Sequence, residues 1–267
     1  AFGQRDIPPT LARVTAVAAG GFHTLALRAD GTVVAWGAND AGQRTVPADL
    51  TRVVWIFAGA RHNLAYTADK KVVMWGSNTR GQITPPPNLV SALTFALGGA
   101  HTLMLKPFDV VIGWGTNEYG QLTSNNPAPT ALTALPAQTA VPTLTPTPHP
   151  LNLQTPVRLA AGVVHSVALT SNRRVLVWGD SSYGQRDIPA DMPAVVAVSA
   201  SAYHTLALHD DGHVSAWGFN GNAQTDVPAT LHNAVAVAAG LSHSLALLSN
   251  GTVVAWGRND QQQTNAT

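Results

Sequence analysis

Short apolar stretches alternate with glycine-centred breaks along almost the whole chain, and the stretch from Val14 to Pro47 shows the pattern complete. Val14-Thr-Ala-Val-Ala-Ala19 is a run of small and β-branched residues that reads as a strand, here called A. Gly20-Gly21 breaks it. His23-Thr-Leu-Ala-Leu27 alternates, and a period of two sends successive side chains to opposite faces, so it reads as strand B. Asp30-Gly31 is a two-residue hairpin signal, of the kind in which both central positions take positive φ. Thr32-Val-Val-Ala-Trp36 is rich in β-branched residues and reads as strand C. After the loop Gly37 to Gly42, Gln43-Arg-Thr-Val46 reads as a short strand D. Pro47 ends it, which suits an outer edge because proline cannot donate to a ladder. No stretch shows a sustained helical period.

This unit recurs six times. The histidines His23, His62, His101, His165, His204 and His243 each precede a tryptophan by 13 residues, at Trp36, Trp75, Trp114, Trp178, Trp217 and Trp256. The step is 39 residues, except between the third and fourth copies, where it is 64. A fixed period near 40 means that each repeat is one supersecondary unit stacked on its neighbours. Four antiparallel strands per repeat predict an all-β chain, a β-propeller of six four-stranded blades over 1–267, with seven as the alternative if a blade lies outside this sequence. Phe2-Gly3-Gln4-Arg5-Asp6-Ile7-Pro8 matches Tyr183-Gly-Gln-Arg-Asp-Ile-Pro189 almost residue for residue. The N-terminus therefore lies in the phase of strand D and is expected to close the ring against the blade of Trp256, so that no strand edge is left open. The chain opens in mid-repeat, and residues upstream of Ala1 are expected.

Composition narrows the functions. Charged residues make up 11% and the formal net charge is +1, which argues against a nucleic-acid binder, since that role needs a basic face. There is no cysteine, hence no disulfide framework or thiolate chemistry. No apolar run approaches the length of a membrane span, and no signal peptide is visible. Residues 124–155 hold the extra length of the long step. They are Thr- and Pro-rich and carry no His or Trp-Gly in register, so they read as an extended insertion between blades, a candidate for O-glycosylation. Such tracts on exported proteins point to an extracellular or cell-surface setting.

The repeats resemble those of the regulator of chromosome condensation family. The residues that carry the likeness are Ala19-Gly20-x-x-His23-Thr24-x-Ala26-Leu27, Asp30-Gly31, Val34-x-Trp36-Gly37-x-Asn39 and Gly42-Gln43, with their equivalents. Trp-Gly followed by Gly-Gln separates them from WD repeats. Their short length looks closest to the secreted bacterial branch, which includes a β-lactamase inhibitory protein. The resemblance implies a non-enzymatic module that binds proteins through one face of the ring. The family is usually seven-bladed, and six repeats depart from that.

Six histidines in one repeat position invite a metal or catalytic reading. A residue present in every copy serves the blade, however, and is expected to bond backbone groups at the turn; ligands must also converge on one point, whereas repetition spreads these apart. The tryptophans are expected to pack in the core or between blades. Asn39, Asn78, Asn117, Asn220 and Asn259 are expected to shape loops. No catalytic residue, cofactor or metal site is expected. The informative residues are those that vary between copies. Strand order puts the A–B and C–D loops on one face, and there stand Phe22, Arg61, Tyr203, Arg80, Glu118, Tyr119, Tyr183, Phe219 and Arg258. Exposed aromatics and arginines on loops are the residue types of protein-binding hot spots. The favoured reading is an exported module that binds a protein partner or copies of itself. The alternatives are a secreted enzyme inhibitor that uses this face and a small-GTPase exchange regulator.

Overall fold

In the computed structural model the described residues are 3, 6–87, 89, 91–122, 159–260 and 263–265. They form six antiparallel three-stranded sheets, one per repeat, each in the order A-B-C. The first is β1 (Val14–Ala19), β2 (His23–Arg28) and β3 (Val33–Gly37); the second is β4 (Val53–Ala58), β5 (His62–Thr67) and β6 (Val72–Gly76). The third is β7 (Thr94–Leu97), β8 (His101–Leu105) and β9 (Val111–Gly115); the fourth is β10 (Leu159–Ala161), β11 (His165–Leu169) and β12 (Val175–Gly179). The fifth is β13 (Val195–Ala200), β14 (His204–His209) and β15 (Val214–Gly218); the sixth is β16 (Ala234–Ala239), β17 (His243–Leu248) and β18 (Val253–Gly257). Register is the same in all six: each repeat histidine pairs with the glycine of Trp-Gly, as His23 with Gly37 and His243 with Gly257. The expected insertion, 124–155, lies outside the described residues.

In the second to fifth blades strand B is buried on both sides because it stands between two blades. Its alternation sorts sizes. The large residues Leu25 and Leu27 press forward onto Val53, Ile56, Ala65 and Trp75 of the second blade. The small one, Ala65, receives that pressure while its neighbours Leu64 and Tyr66 press forward in turn onto Phe95, Met104 and Trp114. The arrangement repeats between blades three and four, four and five, and five and six. Each core is therefore an interface, and a buried leucine there contributes roughly 1.5–3 kcal/mol. Among the described residues there are five such cores. None joins the sixth blade to the first, as closure of the ring would require. Gln4 and Arg5, on which the expected closing strand rests, lie outside the described residues.

Two local expectations change. The stretch read as strand D forms no ladder. Residues 42–46 make a turn, with Thr45 N–H donating to Gly42 O (3.0 Å) and Val46 N–H to Arg44 O (2.9 Å). This turns the Gln43 carbonyl away from strand C and toward the next blade, where side chains satisfy it. The B–C hairpin is also of another type. Gly31 alone takes positive φ (81°), and Arg28 and Thr32 pair across a three-residue loop. That is a type I turn followed by one left-handed residue. Lys70-Lys71 and Arg173-Arg174, read in place of the Asp-Gly pair, predict turns of a different type. Instead Lys70 and Arg173 take the glycine's conformation, each at φ 63°. The third blade is the exception, with a 3-10 turn at Pro107–Asp109.

Candidate functional site

The repeat histidines act between blades, and this corrects the expectation that they bond backbone at the turn. Nε2 of each of the first five meets the residue that follows the next histidine: His23 to Asn63 Oδ1 (2.6 Å), His62 to Thr102 Oγ1 (3.0 Å), His101 to Ser166 Oγ (3.2 Å), His165 to Thr205 Oγ1 (3.0 Å) and His204 to Ser244 Oγ (3.0 Å). Thr102, Ser166 and Ser244 then donate to the carbonyls of Gln82, Gln121 and Gln224, and Asn63 donates its amide to Gln43 O. A hydroxyl that donates its only proton to a carbonyl must accept from the imidazole. On His62, His101 and His204, and on His23 against the Asn63 amide oxygen, the proton therefore sits on Nε2. The same glutamine carbonyls accept the indole N–H of the following blade, as Trp75 on Gln43 (3.0 Å) and Trp178 on Gln121 (2.8 Å). Trp75, Trp114, Trp178, Trp217 and Trp256 thus pack in the cores between blades, as expected, and also bond across them, which the sequence did not predict.

The other ring nitrogen is left without a partner. Nδ1 of these five histidines is buried and unbonded, as an unprotonated acceptor can be. The reason is the glycine three residues earlier. A Cβ on Gly20 would stand 2.2 Å from His23 Cε1, so the ring lies flat on bare backbone that offers nothing to hydrogen-bond. Burial away from water disfavours the imidazolium. It pushes His62, His165 and His204 down to about 4 and His101 to about 3, and lowers His23 and His243 as well. These are neutral bolts, not bases poised near neutrality or ligands aimed at a common ion.

The same bolts fix the platform that the varying residues stand on. In every blade the residue before the histidine accepts the N–H of the residue after Trp-Gly, as Phe22 O from Ala38 N–H (2.8 Å) and Tyr203 O from Phe219 N–H (2.9 Å). This holds the A–B and C–D loops together on one face. The asparagines shape the C–D loops as expected: Asn39, Asn117 and Asn220 Oδ1 each accept the backbone N–H five residues on, at 2.8–2.9 Å.

On that face three of the expected residues come together. Tyr183 from the fourth blade meets Phe219 (centroids 5.0 Å apart) and Tyr203 (5.4 Å) of the fifth, with Tyr203 and Phe219 at 6.4 Å, all edge to face. Phe219 lies over the bare backbone of Gly221. Tyr183 is 51% exposed and Tyr203 36%. Tyr119 and Phe22 are exposed on the loops of the third and first blades. The charged members are paired, mostly across blades. Arg61 binds Asp40 of the first blade, Arg80 binds Glu118 of the third, and Arg258 binds Asp260 within its own loop. The Asp40 carboxyl is held below the usual range, first by the Gln43 amide and then by Arg61. These exposed pairs stabilise little, but they engage the charge of the arginines.

Two exposed side chains were not singled out from sequence. Leu241 is 61% exposed in the A–B loop of the sixth blade, where the other copies carry Gly21, Ala60, Gly99, Val163 and Ala202. A large residue at a mostly small position was the available signal. Phe108, 96% exposed, stands at the B–C turn of the third blade, on the opposite face. Pro107-Phe108-Asp109 in place of Asp-Gly was its signal.

Three-stranded blades joined in series by a repeated His–hydroxyl–carbonyl–indole contact define a tandem-repeat β-propeller. The chain belongs to the family of the regulator of chromosome condensation (RCC1) repeat, whose pattern matches residues 14–43, 53–82, 157–185, 195–224 and 234–263. The third blade is not matched, although its sheet is formed. No protein of curated function matches the chain. Among solved structures it is similar to Prp20p of Saccharomyces cerevisiae, which binds Gsp1p and histones. The identity is 22% and the TM-score 0.69, over 96% of this chain and 73% of Prp20p. It is similar to human WBSCR16 (19%, TM-score 0.70, over 93% of this chain and 77% of that one). It is also similar to the ectodomain of the Physcomitrella patens receptor kinase CR4 (21%, TM-score 0.67, over 94% and 62%). At these identities the likeness shows the fold.

Proposed function

We propose that the chain is a non-enzymatic protein-binding module whose contact surface is the face of the A–B and C–D loops, centred on Tyr183, Tyr203 and Phe219. The observation that carries this reading is the aromatic cluster itself. Three rings from two blades gather, partly exposed, at positions the repeat leaves free to vary. Aromatics held rigid at a surface contribute large contact area at low entropic cost. The repeat histidines offer no competing chemistry, being neutral and committed to the neighbouring blade. That Prp20p binds Gsp1p and histones supports protein binding as a use of this scaffold. The Thr/Pro-rich stretch 124–155 supports an exported setting, with its threonines as acceptors for O-linked sugars. The partner is another protein or a second copy of this chain.

The test replaces the cluster. Capture from extracts of the producing organism is compared for the native chain and for Tyr183→Ala/Tyr203→Ala/Phe219→Ala, alongside light scattering of each at high concentration. A partner or a self-associated form lost only in the variant, with both chains melting alike, supports the reading. Equal capture and equal association by both would move the contact surface elsewhere.

A contiguous aromatic patch is also what a plug for an enzyme's active site would present, so secreted inhibition stands as a second reading. Assay of the native chain against a panel of secreted hydrolases, serine β-lactamases included, decides it. Inhibition that disappears in the triple variant is the expected result, and no inhibition across the panel removes this reading while leaving the first.

A further inference from the structure

At the B–C turns, on the face opposite the aromatic cluster, the first two blades hold the same parts in different arrangements. Arg13 and Arg52 stand one repeat apart, each at φ 55°. Each offers its carbonyl to a hairpin N–H, Arg13 to Ala29 (2.8 Å) and Arg52 to Ala68 (2.9 Å). Asp30 and Asp69 are equivalent in the same way. In the second blade Arg52 binds Asp69 at 2.7 Å. In the first, no acid pairs with Arg13 among the described residues.

The difference begins at one residue. The Thr67 hydroxyl accepts the Lys71 N–H (3.2 Å), as Thr170 accepts that of Arg174 (3.0 Å), and Asp69 is left for the arginine. The first blade has Arg28 in that place, a side chain with no acceptor to offer. The Thr32 N–H turns instead to Asp30 Oδ1 (3.0 Å), and the Thr32 hydroxyl joins it (2.7 Å). These two bonds chiefly hold the Asp30 carboxyl below the usual range, so it is ionised. The same exchange follows His209 and Leu248, where Asp211 and Asn250 take the N–H. Those two blades, however, carry Ala194 and Asn233 where the first has Arg13.

Arg13, Arg28 and Asp30, with Thr10 and Ala12, line a depression of about 200 Å³. Arg28 Nη2 donates to Thr10 O (3.3 Å), while its Nε is buried and meets no acceptor. We propose that this depression binds one carboxylate, held by the guanidinium groups of Arg13 and Arg28. The planar fork of a guanidinium matches the two oxygens of a carboxylate. Two guanidiniums against the Asp30 carboxylate leave the lining one net positive charge (2 − 1), which suits a monoanion. A dianion would be opposed by Asp30 and by the Thr10 carbonyl. The volume is smaller than that of pockets that enclose whole drug-sized ligands, so the site takes a carboxylate on a short stem. Such a group belongs equally to a small free acid and to a glutamate or aspartate side chain of another protein.

The experiment follows the arginine Nε–H signals of the full nitrogen-15-labelled chain, just below neutral pH, as sodium acetate is added at constant ionic strength. Sodium chloride, sodium sulfate and an end-blocked Ala-Glu-Ala peptide are titrated in parallel. Acetate should saturate the Arg13 and Arg28 signals with a Kd on the order of 1–10 mM, and chloride should not. Sulfate should bind the native chain more weakly than acetate does, and Asp30→Asn should reverse that order. Arg13→Gln and Arg28→Gln should each weaken acetate binding by about tenfold or more, with the backbone amide spectrum otherwise unchanged. Tighter binding of the glutamyl peptide than of acetate supports the site and makes a protein side chain its source. Binding of acetate but not of the peptide supports it with a free acid as the source. The proposal is overturned if acetate acts only as chloride does, if either glutamine variant binds acetate like the native chain, or if sulfate binds the native chain the more tightly.

Discussion

A buried imidazole with one nitrogen satisfied and the other facing bare glycine backbone can be neutral or strained, but not comfortably charged. Protonating Nδ1 of His62 would add a donor with no acceptor and a charge with no partner. The folded pKa values of His62, His101, His165 and His204, about 4, 3, 4 and 4, lie below the unstructured value of 6.5. Between those limits the unfolded chain binds more protons than the folded one, so stability is complete above about pH 6.5 and falls as pH drops toward 4. Each histidine contributes a loss on the order of 2 kcal/mol by pH 5. Urea titrations should show a steep decline from pH 6.5 to 5 and unfolding close to pH 5; a flat profile over that range would contradict the neutral assignment. The acceptor has its own signature. Thr102→Val keeps the shape but leaves the His62 Nε2–H and the Gln82 carbonyl each short of a partner, and should destabilise by about 1–3 kcal/mol in urea denaturation. The sequence announced that these histidines were structural, because they recur in every copy. It could not announce their partner. A residue that appears once per repeat looks the same whether it bonds its own blade or the next.

At the scale of elements, the strands A, B and C were legible because alternation, β-branching and Trp-Gly all agree. The hairpin and the fourth strand were not. Asp30-Gly31 fits two turn types, and only the backbone shows that a single left-handed residue is required. Lys70 and Arg173 meet that requirement at a steric disadvantage. Lys70→Gly relieves about 1 kcal/mol of left-handed strain, offset in part by the larger entropy of an unfolded glycine. Its urea midpoint should rise slightly or hold. Gly212→Ala should do the reverse and lose more than about 1 kcal/mol, because φ is 82° and the new Cβ would stand 2.8 Å from Asn233 Cα. Equal effects from the two substitutions would refute this account of the turn. Gln43 misled for a related reason. Its extended, proline-ended surroundings look like an edge strand, whereas its carbonyl is spent on the neighbouring tryptophan and asparagine.

For the whole molecule, the division is between positions that repeat and positions that vary. Among the described residues, the repeating ones join blades in series through five apolar cores and a chain of hydrogen bonds. The varying ones stand on a platform those bonds hold still, and there Tyr183, Tyr203 and Phe219 gather while Arg61, Arg80 and Arg258 are tied to acids. Sequence placed all of these on one face but could not say which would cluster, since that depends on loops from successive blades. Tyr203→Ala alone should leave Tm within about 2 °C, a surface substitution seldom changing stability by more than about 0.5 kcal/mol. A sharp fall would make the tyrosine part of the scaffold. The division itself is tested most directly by nitrogen-15 spectra of the histidine side chains followed from pH 7.5 to 5.5. The account predicts that His62, His101, His165 and His204 stay neutral throughout with the proton on Nε2, while His243, at the open face, is the least protected of the repeat set. Imidazolium signals for the enclosed four near pH 6, or protons on Nδ1, would contradict it and return the histidines to the list of groups free for chemistry.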